Sequence, residues 1–180
     1  YLALCYGHVI PEGMYIDKPV APFQVPKGEV SVCPTGSDGA KDFRMCIGDT
    51  ANPGKDAQTE VKVIAHGIFM GKKVSKVLLL PKTGRRHQLR VHMAHVLHPI
   101  VGDFTYCGDS EAPRMMLHAW MLQMPFPTKW GGPRTFVADD PLIEYLQDTP
   151  DYRLLWEPPT YSTTTASSPD PTPAPSEDNK

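Results

Sequence analysis

The sequence lacks the features that would place the protein in a membrane or stabilise it with disulfides. No stretch approaches the roughly 18 apolar residues that a membrane-spanning helix needs, and no signal peptide comes before the first strand-like run. The four cysteines, at positions 5, 33, 46 and 107, form no CxxC pair, which argues against a disulfide framework and a zinc site. We therefore expect an intracellular chain, without resolving whether it is cytoplasmic, nuclear or mitochondrial.

Acidic residues are absent from a long internal segment. From Val61 to Gly102 there is no Asp or Glu, whereas the segment holds eight lysines and arginines and five histidines. A basic block inside a chain of net charge −2 is typical of a surface that binds the phosphates of a nucleic acid. A solvated basic face on an ordinary globular domain explains the same pattern, so charge alone leaves both interpretations open.

The sequence also lacks an initiating methionine. It begins with Tyr1, on an alternating run at 1–6 that places Leu2 and Leu4 on one face and Ala3 and Cys5 on the other. This run is typical of the middle of a strand, so we expect the sequence to be incomplete at its N-terminus. At 180 residues the chain suits one domain with a substantial core.

Most of the remaining patterns predict strands. Short strands are expected near Ile16 and at 45–47 within a loop-rich segment, 14–58. Two β-rich runs, 60–66 and 74–80, predict an antiparallel hairpin joined through 67–71. A return strand and turn are expected at 100–103, and a further strand at 115–124.

One helix is predicted from about His87 to Leu97. Leu89, Met93, Val96 and Leu97 recur at helical spacing, and His98-Pro99 ends the pattern. The fold class is therefore α+β, with a mainly antiparallel mixed sheet and few helices. Residues 1–157 are expected to form the domain, and 158–180, rich in Ser, Thr and Pro, a disordered tail.

The segment LPKTGRRHQLRVH at 80–92 is the most informative part of the sequence. It predicts a strand that ends in a glycine turn and leads into a helix whose first turn holds Arg86, His87 and Arg90. A helix N-terminus with added arginines favours an anion, and Leu89 adds an apolar contact beside the cations. The helix entrance is suited to an aromatic base held near a carboxylate or phosphate. Arginines that only cap a turn and pair with surface acids would produce the same pattern.

Together with two later motifs, this segment resembles the signature of RluA-type RNA pseudouridine synthases. TGRRHQLRVH, HPIVGD at 98–103 and RMMLHA at 114–119 have the order and spacing of that family. The opening YLAL with Gly7 is similar to the family's Tyr-containing strand, and Ala57-Gln-Thr59 to its A-x-T. The resemblance extends from residue 1 to about 120.

The resemblance implies the α+β fold of a pseudouridine synthase catalytic domain that isomerises uridine to pseudouridine in tRNA, rRNA or mRNA. It implies RNA as the partner, no cofactor, no metal, no membrane attachment, and a monomer. By match to the motifs, Tyr1 packs on the flipped uracil, Leu89 contacts it from the other side, and Arg90 pairs with the catalytic aspartate. Six further residues are candidates for binding RNA, namely Lys82, Arg85, Arg86, His87, Lys72 and Lys73.

The family's nucleophilic aspartate is missing. It lies in an HRLD-like motif upstream of the Tyr strand, and this sequence contains no such motif. Covalent catalysis then has no nucleophile, so we expect this chain alone to be inactive. A non-catalytic RNA-binding protein derived from the same fold is the alternative.

A metal site is the third interpretation. His87, His92, His95 and His98 are closely spaced. Zinc ligands on a helix favour steps of three or four residues on one face, and His87 to His92 is a step of five, so we do not expect a metal here.

Overall fold

The computed structural model describes residues 1–24, 43–130, 132–146, 149 and 151–159. Its strands are β1 (Leu2–Tyr6), β2 (Gly13–Asp17), β3 (Val20–Pro22), β4 (Met45–Ile47), β5 (Gln58–Phe69), β6 (Lys72–Pro81), β7 (Leu117–His118), β8 (Met121–Met124), β9 (Arg134–Val137) and β10 (Arg153–Leu154). Its helices are α1 (Gln88–His95), α2 (Phe104–Cys107) and two 3-10 turns, Thr128–Trp130 and Ile143–Tyr145. Among the described residues, no helix is long and apolar enough to cross a membrane.

A six-stranded sheet organises the fold. Its order is β10-β5-β6-β1-β7, and β2 shares one edge of β5 with β10. All of these pairs are antiparallel, and β3–β4 and β8–β9 form two separate antiparallel ribbons. The predicted fold class is confirmed.

Both faces of β1 are buried, and its residues alternate between the two faces as the sequence pattern predicts. Leu2 and Leu4 belong to one core cluster, which includes Leu142 and Leu146 from the C-terminal part of the domain. Ala3 and Cys5 belong to a second cluster on the other side, which includes Leu89 and Met93 of α1. The helix therefore packs on the side of the sheet to which Ala3 and Cys5 point.

The hairpin of β5 and β6 is confirmed and is longer than predicted. The expected connection at 67–71 is mostly strand, because the turn needs only Met70 and Gly71, both with positive φ (48° and 72°). Two such residues match the right-handed twist of the strands that they join. The register shifts between Val63 and Ala65, so that Ile64 and Ala65 both contribute to the same core cluster.

The predicted helix is confirmed but shorter. His87 precedes it with φ 54°, and Leu97 follows it with φ 64°. Leu89 and Met93 are buried as expected, whereas Leu97 is 85% exposed. The prediction was wrong for Leu97 because helical spacing places residues on one face only while the helix continues.

Four other predictions need correction or limits. Segment 14–58 contains the two expected strands and an unpredicted one, β3. Residues 100–103 form a turn with one isolated bridge, Cys5 to Ile100, rather than a strand. The expected strand at 115–124 is divided into β7 and β8, which pair with different partners. The predicted tail lies outside the described residues from 160 onward.

Candidate active site

The start of β1, the end of β6 and the entrance of α1 enclose a cavity of about 200 Å³, here called the α1 cleft. Five predicted site residues line it, namely Tyr1, Arg85, His87, Leu89 and Arg90. In the described part of the chain, no Asp or Glu lines this cavity. The cleft therefore combines cations with apolar surface and can hold a flat ring close to an anion.

Tyr1 and Leu89 give the cleft its apolar walls. The backbone of Tyr1 is paired with Leu79 in both directions, at 2.9 Å from N to O and 2.8 Å from O to N. Tyr1 remains 41% exposed, whereas Leu89 is 8% exposed. An exposed aromatic ring and a nearly buried aliphatic side chain on one cavity suit the packing of a planar base.

Gln88 fixes the entrance of α1. Its Oε1 accepts from the Thr83 hydroxyl at 2.8 Å and from the Arg85 backbone N–H at 3.0 Å. Its Nε2 donates to the Gln58 carbonyl at 2.9 Å and to Thr59 Oγ1 at 3.0 Å. The side chain uses all four of its hydrogen-bonding positions and thereby joins the helix to the loop before it and to β5.

Arg90 is held by a carboxylate within this chain. Its Nε donates to Asp103 Oδ2 at 2.8 Å and its Nη2 to Asp103 Oδ1 at 2.7 Å. Its Cζ also lies 4.8 Å from the centre of the Tyr106 ring. The hydrogen bonds to Asp103 raise the pKa of Arg90, so the guanidinium remains a cation with its plane fixed. Pairing of Arg90 with a catalytic aspartate from outside the sequence stays a prediction.

The two shorter motifs meet where Asp103 is placed. Val101 accepts from the Met116 backbone N–H at 2.8 Å, which joins 98–103 to 114–119. At Gly102 φ is +76°, and an added Cβ would lie 2.0 Å from the Arg114 carbonyl oxygen. A glycine before Asp103 is therefore required by the close approach of the two backbones.

The ring of His87 is held at the cleft by the Tyr106 hydroxyl. Its Nδ1 lies 2.8 Å from the Tyr106 hydroxyl, which accepts from the Met45 backbone N–H at 2.9 Å. Burial, followed by the charges of Arg90 and Arg86, lowers the pKa of His87. The lowered pKa favours the neutral ring, in which one nitrogen is a donor and the other an acceptor.

The other closely spaced histidines have structural contacts. The buried His92 lies 2.9 Å from Thr59 Oγ1 through Nδ1, and its Nε2 donates to the Lys18 carbonyl at 2.9 Å. His98 Nδ1 lies 2.8 Å from the Tyr6 carbonyl. Among the described residues, no group of three or more His, Cys, Asp or Glu side chains is placed to hold a metal. Cys5, Cys46 and Cys107 are free thiols, and Cys33 lies outside the described residues.

The predicted RNA-binding cations are not all in one place. Arg85 lines the α1 cleft, and Arg86 lines a second cavity between the β3–β4 ribbon and the loop before α1. Lys82 forms an ion pair with Glu60 at 3.2 Å. Lys72 and Lys73 lie at the opposite end of β6, roughly 30 Å away at about 3.3 Å per strand residue, and Lys72 pairs with Glu111 at 3.0 Å.

Sequence reasoning missed Gln88, Asp103 and Tyr106 as parts of the site. Gln88 and Asp103 lie within the motifs, but their roles depend on partners 13 to 30 residues away. The periodicity of a helix or strand carries no information about such pairs. For Asp103 and Tyr106, the available sequence signal was the Gly-Asp turn with Tyr three residues after the aspartate.

The fold is that of an α+β protein with a mainly antiparallel sheet. Its cleft at the entrance of α1 is basic and partly apolar, and such a cleft can hold a base beside a phosphate or carboxylate. The family profile described as RNA pseudouridylate synthase matches residues 1–95. The chain belongs to this family, and the resemblance seen in its motifs is confirmed.

Named relatives agree with the family. The chain is 38% identical over 148 residues to RNA pseudouridylate synthase domain-containing protein 1 of Danio rerio, with 81% of this chain and 46% of that protein covered. It is 34% identical over 141 residues to the dual-specificity RNA pseudouridine synthase RluA of Escherichia coli strain K12, with 77% and 55% covered. The solved structure of Human RNA Pseudouridylate Synthase Domain Containing 1 matches with a TM-score of 0.67 and 32% identity, covering 87% of this chain and 60% of that one. The chain thus spans about half the length of these curated relatives.

Proposed function

We propose that the protein is an RNA pseudouridine synthase and that this chain supplies the part of its active site that holds the target uridine. The net reaction breaks the bond between uracil N1 and ribose C1′ and forms a bond from C5 to the same carbon. The proton lost from C5 balances the proton gained at N1, so the isomerisation needs no co-reactant.

The observation that carries this proposal is the geometry around Arg90. A guanidinium has five N–H donors, and Asp103 accepts from two of them. The remaining three can bind a further carboxylate at the cleft, where Tyr1 and Leu89 would hold the uracil on its two faces. A base in this position must have left the stack of its RNA, which favours single-stranded or loop regions of tRNA, rRNA or mRNA as substrates.

The nucleophile in this proposal is an aspartate from outside the 180 residues. In the described part of the chain, the cleft has no carboxylate in its lining, and the nearby Asp103 is bound to Arg90. We propose that this aspartate precedes Tyr1 in the full gene product. We also propose that the protein acts inside the cell and as a monomer.

The experiment compares pseudouridine formation by this chain and by the full gene product on total cellular RNA. We expect none from the chain alone and activity from the longer protein. In the longer protein, Arg90→Lys should lower activity by about a hundredfold or more, because lysine cannot replace a planar, doubly bonded guanidinium. Arg153→Gln, which removes an exposed cation at the far edge of the sheet, is the matched control.

A non-catalytic RNA-binding protein is the second candidate, favoured by the absence of a carboxylate from the described lining of the cleft. The two candidates differ in one observation. A full gene product that binds RNA but contains no HRLD-like motif and forms no pseudouridine would exclude the enzyme and establish the binder.

A further inference from the structure

A second and larger hollow adjoins the α1 cleft. It has a volume of about 450 Å³ and lies between the β3–β4 ribbon and the loop before α1; we call it the ribbon hollow. Gly84 and Arg85 line both cavities. A polymer that enters the α1 cleft can therefore continue into the ribbon hollow without leaving the surface.

The charges of the ribbon hollow have one sign. Lys55, Arg85 and Arg86 line it, and none of its described lining residues is acidic. The hollow at the hairpin tip is different, because Lys72 there faces Asp109 and Glu111. Of these two basic cavities, only the ribbon hollow has a described lining that contains cations and no carboxylate.

The cations of the ribbon hollow are partly fixed in place. Arg85 Nε donates to the Asp56 carbonyl at 2.9 Å, which leaves its terminal nitrogens for another acceptor. Arg86 Cζ lies 5.5 Å from the centre of the Phe43 ring, and Phe43 meets the edge of His87 at 6.1 Å. Such anchoring lowers the entropy that the side chains lose on binding an anion.

The remaining wall of the hollow is apolar and is tied to the α1 cleft. Val20, Pro22 and Met45 line it, and the Met45 backbone N–H donates to Tyr106, the same side chain that contacts His87 and Arg90. An apolar wall facing three cations suits a nucleotide, with its sugar or base on the wall and its phosphate on the cations.

We infer that the ribbon hollow binds the nucleotide next to the target uridine in a single-stranded RNA. Lys55, Arg85 and Arg86 hold its phosphate, and the shared Arg85 sets the path of the strand between the two cavities. This inference rests on the proposed function, because it takes the base in the α1 cleft as the starting point. It adds Lys55 and the β3–β4 ribbon to the RNA-binding surface.

The test measures binding of a uridine-containing RNA pentanucleotide to the full chain across a range of salt concentrations. The double variant Lys55→Gln/Arg86→Gln should bind about tenfold more weakly near 0.1 M salt. The salt slope should fall by about 0.7 for each phosphate that the variant no longer neutralises, the value for single strands. Arg153→Gln, which removes one exposed charge far from both cavities, should match the wild type in affinity and slope.

Two comparisons separate the possible failures. Tyr1→Ala tests the α1 cleft, because this residue lines the cleft and is 41% exposed, and it should weaken binding without changing the salt slope. If Tyr1→Ala weakens binding but the double variant behaves as wild type, the ribbon hollow inference is wrong and the proposed function stands. If the wild-type chain does not bind the pentanucleotide, or Tyr1→Ala has no effect, the proposed function fails and the inference with it.

Inorganic phosphate serves as the competing probe. If the hollow is a nucleotide site, displacing the bound RNA should need a far higher concentration of inorganic phosphate than of unlabelled pentanucleotide. Competition by phosphate at the same concentration as unlabelled pentanucleotide would show a general anion site and overturn the assignment. Both substituted side chains are exposed, and unchanged thermal unfolding of the double variant would show that its fold is retained.

Discussion

Arg90 and Asp103 form a paired, two-bond contact, with Nε 2.8 Å from Oδ2 and Nη2 2.7 Å from Oδ1. The arginine side chain is 15% exposed and the aspartate side chain 1%. A pair so far from solvent is expensive to break, because removal of one partner leaves the other charge without compensation. The pair therefore connects the stability of the domain to the shape of the α1 cleft.

We predict that Asp103→Asn lowers the free energy of unfolding by about 3 kcal/mol, within the range for broken buried pairs. Denaturant unfolding measures this change. The double variant Arg90→Met/Asp103→Asn should recover part of the loss, with a coupling free energy above about 1 kcal/mol. Additive effects of the two substitutions would mean that the pair contributes little.

Gln88 should be nearly as sensitive, although it carries no charge. Gln88→Leu leaves the Arg85 backbone N–H without its acceptor. The Gln58 carbonyl and the Thr59 and Thr83 hydroxyls each lose one hydrogen bond but keep another partner. We expect a loss of roughly 1 to 3 kcal/mol in unfolding free energy. His95→Ala on the exposed side of the same helix should change the unfolding free energy by about 0.5 kcal/mol or less. Equal effects of the two substitutions would contradict the role given to Gln88.

Lys76 and Asp140 form a second ion pair with unequal burial. The lysine side chain is 3% exposed and the aspartate side chain 28%. Asp140→Asn should cost about 3 kcal/mol, because it leaves a buried ammonium unpaired. The asparagine keeps the oxygen that accepts from the Leu142 N–H.

Substitution of the lysine of this pair should cost less unfolding free energy than substitution of the aspartate. Lys76→Met leaves a carboxylate that water can reach, so we expect a cost of about 1 kcal/mol. Thermal unfolding of both variants at the same pH tests the order of the two effects. A larger loss for Lys76→Met than for Asp140→Asn would contradict the unequal burial.

The stability of the domain should fall below neutral pH. Burial lowers the pKa of His92, and it is also the largest cause of the lowered pKa values of His66 and His87. The unfolded chain then takes up protons near pH 6.5 that the folded chain does not. The stabilisation from these neutral rings is complete above about pH 6.5 and is lost as the pH falls toward the folded pKa values.

Thermal unfolding at pH 7.5, 6.5 and 5.5 checks this expectation. The wild-type Tm should decrease over this range, and His92→Gln should have a lower Tm at pH 7.5 with a weaker dependence on pH. Asp109 does not interfere. Burial raises its pKa, but hydrogen bonds from Tyr6, Gly102, Glu111 and Ala112 lower it to about 2. An unchanged pH dependence in His92→Gln would show that other groups control it.

Local patterns in the sequence predicted the parts of the fold that depend on period and turn chemistry. Alternation identified β1 and the residues on each of its faces, and the two β-rich runs identified the β5–β6 hairpin. Leu89 and Met93 identified the helix that packs on this sheet. These features depend on the spacing of side chains within one helix or strand, and this spacing can be read directly from the sequence.

Features that depend on contacts between elements were not predicted. The Arg90–Asp103 pair forms across the turn that connects α1 to α2, and that turn requires positive φ at Leu97 and Gly102. The hydrogen bonds of Gln88 depend on β5 lying beside the helix entrance. The division of 115–124 into two strands depends on which sheet each half joins, and neighbouring apolar residues do not specify this.

The position of β1 in the sheet has a consequence for the order in which the protein is made. Tyr1 pairs with Leu79, 78 residues later in the chain, and β1 ends up between β6 and β7. At translation rates of about 5 to 20 residues per second, roughly 4 to 16 seconds separate the synthesis of these partners. The strand that carries Tyr1 is therefore synthesised well before β6 and β7, the two strands that pair with it, and until then Leu2 and Leu4 lack the neighbours that the folded sheet provides.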